Sequence, residues 1–176
     1  MERRFQGESL NKMDGKGRVS IPVKFRRVLQ NSDQKSATAG AAPRLYIAYG
    51  DKSKNFLECL SGDAFDQIDG MIRRTPLGTP VRKALEYLYY RKCDETTVDD
   101  TGRLVLPPAA REKLGLADEA LFQGMGDKFH ILNPVDAAAA DEDMDALLAA
   151  LGQGNDFFDP LSLVAQGDEL VAQGGE

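Results

Sequence analysis

The segment FQGESLNKMDGKGRVSIPVKFRRVL, starting at Phe5, recurs as YRKCDETTVDDTGRLVLPPAAREKL, starting at Tyr90, at a constant offset of 85 with no gap. Asp14, Gly17, Arg18 and Pro22 fall on Asp99, Gly102, Arg103 and Pro107, while Phe5, Met13, Val19, Ile21 and Leu29 fall on Tyr90, Val98, Leu104, Leu106 and Leu114. A few short strands and one helix enclose too little apolar surface alone, so each copy must complete its core with the other. The expectation is an α+β fold in which two repeats interleave into one β-barrel with pseudo-twofold symmetry, plus flanking helices.

Within a unit, short alternating segments flank Asp-Gly-Lys-Gly, which reads as a hairpin or near-hairpin turn with Gly17 and Gly102 supplying the backbone freedom. Pro22 and Pro107 then stop the strand and suit the first turn of a helix, with Phe25, Val28 and Leu29 on one side and Lys24, Arg26 and Arg27 elsewhere. A second hairpin follows in each unit, Leu45 to Tyr49 with Phe56 to Leu60 and Ala120 to Met125 with Phe129 to Leu132, closed by YGDK and MGDK. The stretch NSDQKSATAGAAP, present only in the first unit, reads as a surface loop inserted where packing tolerates it.

This organises the chain as a first unit over 5–60, linking helices over 61–89, a second unit over 90–133, a helix over 134–151 and an acidic tail over 152–176. Ser61 and Asp63 cap the first linking helix, and Thr79-Pro80 opens the second through Val81, Leu85, Leu88 and Tyr89. Asn133-Pro134 opens the Ala-rich helix. The tail, rich in Gly and acid and free of Lys and Arg, is expected to be disordered and solvated.

The net charge of -6 hides a strong asymmetry. Residues 1–30 carry eight Lys/Arg against three Asp/Glu, whereas residues 136–176 carry ten acidic residues and no basic one. An anion-binding face at one end and an acidic segment at the other follow from that split. No apolar run is long enough to span a membrane, and the first residues lack the apolar core of a secretory signal, so a cytoplasmic protein is expected. Cys59, Cys93 and the single His130 have no metal-ligand spacing, and no nucleophile stands with a base, so neither metal, cofactor, small-molecule substrate nor enzymatic activity is expected.

The turn with Lys16 and Arg18, together with Arg3, Arg4, Lys12, Lys24, Arg26 and Arg27, can set several cations along a phosphate backbone. Arg18 is the candidate for a base edge, because its planar fork pairs with guanine whereas lysine acts as a point charge. Asp14 is repelled by phosphate and is assigned to bracing the turn, with Gly17; Asp99 and Gly102 do the same in the second copy. There Lys16 becomes Thr101, Lys24 becomes Ala109 and Arg27 becomes Glu112. Arg103 is therefore expected to be mainly structural and to contribute less to DNA contact.

Asp14-x-x-x-Arg18 followed by Val19-Ser20-Ile21-Pro22, repeated as Asp99-x-x-x-Arg103 followed by Leu104-Val105-Leu106-Pro107, resembles the tandem AbrB-type swapped-hairpin motifs of the MraZ family of bacterial transcription regulators. The resemblance covers residues 1 to about 150. It implies a nucleoid-associated, repressor-like regulator of the division and cell-wall gene cluster that binds double-stranded DNA as a homo-oligomeric ring. Direct repeats upstream of its own operon are the expected target, and either motif can face the duplex. The linking helices are the expected subunit contact, with Ile72 and Leu85 at it. The competing reading is an antitoxin-like or scaffold module that holds a protein partner through its helices and acidic tail.

Overall fold

A computed structural model describes residues 4–152 and Val164. Along the chain lie β1 (Glu8–Lys12), β2 (Arg18–Ser20), α1 (Val23–Asn31), α2 (Gln34–Ala39), β3 (Arg44–Ala48), β4 (Phe56–Ser61), α3 (Gly62–Arg74) and α4 (Pro80–Glu86). A π-helical turn (Tyr87–Arg91), β5 (Cys93–Thr97), β6 (Arg103–Val105), α5 (Pro108–Leu114), β7 (Glu119–Gly124), β8 (Lys128–Leu132) and α6 (Pro134–Gly152) complete the order. Two compact units divide the chain after Ala137, so the sheet and α1–α5 belong to the first and most of α6 to the second. The acidic tail expected over 152–176 lies, apart from Gly152 and Val164, outside the described residues, as does Arg3.

Among the described residues the strands form a six-stranded antiparallel sheet, β1-β7-β8-β4-β3-β5, and a separate two-stranded ribbon, β2-β6. The sheet is symmetric about the β8–β4 contact, since β1, β7 and β8 correspond to β5, β3 and β4. Each outer strand has crossed over: β1 of the first repeat pairs with β7 of the second, and β5 of the second pairs with β3 of the first. The interleaving expected from the repeat is therefore present, but the barrel is not. The sheet stays open at β1 and β5: Pro22 and Pro107 follow closely on β2 and β6, and these three-residue strands form ladders with each other rather than with the sheet edges.

The first turn is also not a hairpin with a ladder. Among the described residues the backbone segments on either side of it pair through a single bridge, Met13–Val19, and the Asn11 side chain donates to the Ser20 carbonyl, while β1 and β2 continue to different partners. The second pair in each unit, β3 with β4 and β7 with β8, forms antiparallel hairpins as expected.

One sheet face builds the core. Leu45, Ile47, Leu57, Cys59, Ala120, Phe122, Phe129 and Ile131 meet α1 and α5 through Phe25, Val28, Leu29, Ala110 and Leu114. Phe5 and Phe25 from the first repeat interlock with Phe122 and Phe129 from the second, with ring centroids 5.0–6.4 Å apart. Such aromatic contacts add to area burial, and here they join the two copies. On the opposite face α3 packs on β3 and β4, stacking Phe65 on Tyr46 at 3.8 Å. Ile72 belongs to this buried layer at 1% exposure, which corrects its placement at a subunit contact. The helical period puts Met71, half-exposed, on the outer side instead.

The inserted stretch is not a plain loop. Its Gln34–Ala39 segment forms α2, capped at the N-terminus by Asp33, which accepts a hydrogen bond from the Ser36 N–H. Asp33 is 1% exposed and binds the Arg44 backbone N–H at 2.7 Å and its guanidinium Nη2 at 2.7 Å. Arg44 also reaches Asp66 of α3, so the insertion is tied to the sheet by a charged network. Burial works against ionisation, yet the Arg44 and Ser36 hydrogen bonds outweigh it and hold the Asp33 carboxyl well below the usual carboxylate range.

His130 lies on the face of β8 away from the core, 8% exposed and stacked on Phe56 at 3.8 Å. Burial, and then the Lys128 charge, lower its pKa from 6.5 to about 4. Between those values the unfolded chain binds a proton that the folded chain does not, so this contribution to stability is complete above pH 6.5 and declines toward pH 4. Melting temperatures are expected to fall over that window, and His130→Phe, which keeps a stacked ring, is expected to flatten the decline. Parallel pH curves for the two proteins would remove His130 from the account.

Candidate nucleic-acid interface

Both Asp-x-x-x-Arg turns are built by the same local chemistry. In the first, Asp14 Oδ1 accepts the Lys16 N–H at 3.0 Å and the Arg18 N–H at 2.9 Å, and its Oδ2 accepts Arg18 Nε at 2.6 Å. The backbone closes the loop with Gly17 N–H to the Asp14 carbonyl at 2.9 Å. In the second, Asp99 Oδ1 accepts the Thr101 and Arg103 N–H groups, each at 2.9 Å, while Arg103 Nε reaches Oδ2 at 3.2 Å. Gly17 and Gly102 take φ values of 79° and 80°, a left-handed conformation that L side chains rarely adopt.

The two carboxylates differ in one partner. Asp14 is held below its usual pKa, first by the Arg18 N–H and then by the Arg18 side chain. Asp99 is lowered to about 2, first by the Thr101 hydroxyl, which donates to it at 2.6 Å, and then by the Arg103 N–H. The residue replacing Lys16 thus turns its polar group inward to the turn. Lys16 stays exposed, as do Lys12 and Lys24.

The β2–β6 pairing decides how the two turns relate. Arg18 lies opposite Val105 and Ser20 opposite Arg103, so the turns sit at opposite ends of one ribbon. Val19 and Leu104 point into the core at 1% exposure each, which leaves Arg18, Ser20, Arg103 and Val105 on the outer face. Arg18 and Arg103 are diagonal neighbours in the ladder, a relation that sets residues about 7–8 Å apart and their Cβ atoms somewhat closer. Their side chains are almost equally open, at 41% and 40%. The environment of Arg103 thus matches that of Arg18, part-exposed and bonded at Nε to its own turn aspartate.

The remaining basic residues separate. Lys12 lies opposite Glu119 in the sheet and borders a cleft that also contains Asp118. Arg4 pairs with Asp127. Arg26 does not line the first turn at all: it lies against Gly102 of the second, with its Nε buried and without a hydrogen-bond partner. An open cleft of about 550 Å³ adjoins that turn and is bordered by Arg26, Asp33, Asp99 and Asp100. Acidic groups thus border both ends of the ribbon, Asp99 and Asp100 at the second turn and Asp118 and Glu119 beside Lys12 and Met13 at the first.

Arg111 was not singled out by charge pattern, yet it occupies the equivalent place on the first turn, against Gly17, with its Nε likewise buried and unbonded. The offset of 85 carries the signal, since it sets Arg26 on Arg111 while the positions around them change.

Among the described residues no helix is long and apolar enough to cross a membrane. No family model matches the chain. Curated relatives do: it is 47% identical over 152 residues to the transcriptional regulator MraZ of Ruegeria pomeroyi, covering 84% of this chain and 90% of the relative. With the protein of the same description from Ruegeria sp. (strain TM1040) it shares 45% identity over 169 residues, 93% and 96% of the two chains. The counterpart from Cereibacter sphaeroides (strain ATCC 17025) is 40% identical over 138 residues, 74% of this chain and 80% of that one.

Proposed function

Because the chain belongs to the MraZ family of transcriptional regulators, we propose that it binds double-stranded DNA sequence-specifically through the outer face of the β2–β6 ribbon. The observation that supports this reading is the placement of Arg18 and Arg103 together on that exposed face. Each is held at Nε by its own turn aspartate. A two-stranded ribbon fits the major groove, and a guanidinium steadied along one edge retains the terminal nitrogens that pair with guanine. Lys16 and Lys24 supply phosphate contacts, and the Asp14, Gly17, Asp99 and Gly102 turns hold the ribbon ends. In this reading Arg18 contributes more than Arg103, because Lys16 is exposed beside it whereas Thr101 takes that place at the other end.

The proposed regulator is a cytoplasmic, nucleoid-associated repressor of the division and cell-wall gene cluster, assembled as a ring. Half-exposed Met71 and the more open Leu77 and Val81, on α3, α4 and their connection, are apolar surface suited to a subunit contact. A ring repeats its ribbon by rotation in one sense, so the target is direct repeats upstream of its own operon, spaced near one DNA turn of about 10 bp.

Electrophoretic shift on the DNA upstream of the chain's own gene, against a scrambled duplex and over a salt series, tests the reading. The upstream duplex is expected to shift at lower protein concentration, with log affinity falling by about 0.9 per log unit of salt for each phosphate neutralised. Footprints on directly repeated elements are expected. Equal, weak binding to both duplexes would sink the proposal, and a single palindromic footprint would remove the ring geometry from it.

A further inference from the structure

Arg26 and Arg111 occupy equivalent positions in α1 and α5, and each lies on the turn of the other repeat. A methyl group added at Gly17 would stand 2.7 Å from Arg111 Nε and 2.9 Å from Cζ, so the guanidinium rests directly over that glycine. The same addition at Gly102 would collide with the Arg26 guanidinium. Both Nε atoms are buried without a hydrogen-bond partner. A donor buried unbonded is costly, so packing against the bare glycine must compensate, and two equivalent sites accept the same cost.

The glycines are also where each turn would otherwise have most freedom. Gly17 N–H is tied to the Asp14 carbonyl and Gly17 O accepts the Leu106 N–H at 2.9 Å, but no side chain of its own restricts its φ. The next residue is Arg18. Likewise Gly102, whose carbonyl accepts the Ile21 N–H at 2.9 Å, precedes Arg103. A planar guanidinium laid over the glycine limits the rotation that would swing the following arginine, and a compact ammonium cannot cover the same surface.

We propose that Arg111 and Arg26 are positioning residues that set the two reading turns crosswise, Arg111 presenting Arg18 and Arg26 presenting Arg103. This rests on the DNA-binding reading of the ribbon. Its consequence runs against sequence proximity: Arg26, eight residues beyond Arg18, acts on the other turn. The two copies of the motif are thereby linked, because each helix that packs in the core also fixes the turn contributed by its counterpart.

Double-mutant cycles test the crossing. Arg111→Met and Arg26→Met keep most of the side-chain stem, and each is combined with Arg18→Ala and with Arg103→Ala. Affinities are measured for the upstream duplex and a scrambled duplex over a salt series. Arg111→Met is expected to lower the preference for the upstream duplex about tenfold, a size of coupling common between residues that act together. That loss is expected to vanish in the Arg18→Ala background and to persist in the Arg103→Ala background, with the converse for Arg26→Met. The salt slope is expected to stay unchanged, whereas an arginine that itself touched phosphate would reduce it by about 0.9.

If the methionine variants lack a cooperative melt, Arg111→Lys and Arg26→Lys carry the same cycles. Amide spectra of the lysine variants add a readout independent of DNA: Arg111→Lys is expected to displace the Gly17 resonance more than that of Gly102, and Arg26→Lys the reverse. Additive losses, coupling of Arg26 with Arg18, or a reduced salt slope would overturn the crossed positioning while leaving the regulator reading standing. A wild-type chain that binds both duplexes alike would overturn the regulator reading and this inference with it.

Discussion

Arg18→Ala is expected to leave a folded protein that no longer distinguishes its upstream DNA from a scrambled duplex. The fold should survive because the side chain is 41% exposed and its pair with Asp14 is an exposed one, of a kind worth about 0–1 kcal/mol. What holds the turn is backbone chemistry that alanine retains, namely the residue-18 N–H on Asp14 and the pairing of β2 with β6. Binding should suffer more, since one bidentate arginine–guanine contact carries roughly 1–3 kcal/mol of discrimination. In the proposed ring that loss would recur at every engaged subunit, and linked contacts multiply. Residual affinity in the nonspecific range, about 10⁻⁴ to 10⁻⁶ M at physiological salt, is the expected floor.

Arg18→Lys separates the two parts of the role, because it retains the phosphate charge without the fork. It is expected to keep most of the salt dependence and lose most of the sequence preference. Arg103→Ala should cost less than Arg18→Ala. Melting curves and affinity titrations on the three variants settle these outcomes; wild-type discrimination by Arg18→Ala would remove that residue from recognition.

Asp33→Ala is expected to have the largest effect on stability. The substitution strips Arg44, whose side chain is 17% exposed, of its closest carboxylate and removes the cap of α2 at once. Breaking a buried pair from one side typically costs about 3–5 kcal/mol, because the remaining charge stays desolvated. For a chain of this size a loss of that order lowers the melting temperature by about 10 °C. Asp66 stays within reach of Arg44 and limits the damage. Asp33→Asn, which keeps an acceptor for the Ser36 N–H, should fall between wild type and alanine. Equal melting temperatures for all three would show that the network contributes nothing. The depressed carboxyl adds a pH signature: its stabilisation is complete above the unfolded carboxylate range and is lost as pH falls below it, lower than the His130 window.

The Asp33 network shows why part of the molecule was hidden in one dimension. NSDQKSATAGAAP has the composition of a loop, and six-residue helices leave almost no periodicity to detect. Its value as structure depends on Arg44 and Asp66, 11 and 33 residues further along. Ile72 and Met71 were similarly ambiguous, since both are apolar neighbours on an amphipathic helix and only the sheet beneath α3 decides which one is buried.

Local rules were enough for the parts whose partners lie close by. Alternating apolar residues marked the faces of β3, β4, β7 and β8, Pro22 and Pro107 opened α1 and α5, and the aspartate, glycine and arginine of each turn identified a braced reversal. The duplication itself implied a shared core, because neither copy could close one alone. Alternation assigns a side chain to a face but names no partner strand, and a unit paired within itself would bury the same residues as one that exchanges strands. Long-range register therefore chose β7 for β1, β3 for β5 and β6 for β2. That choice, absent from any short window of residues, put Arg18 and Arg103 on one face and sent Arg26 and Arg111 to opposite turns.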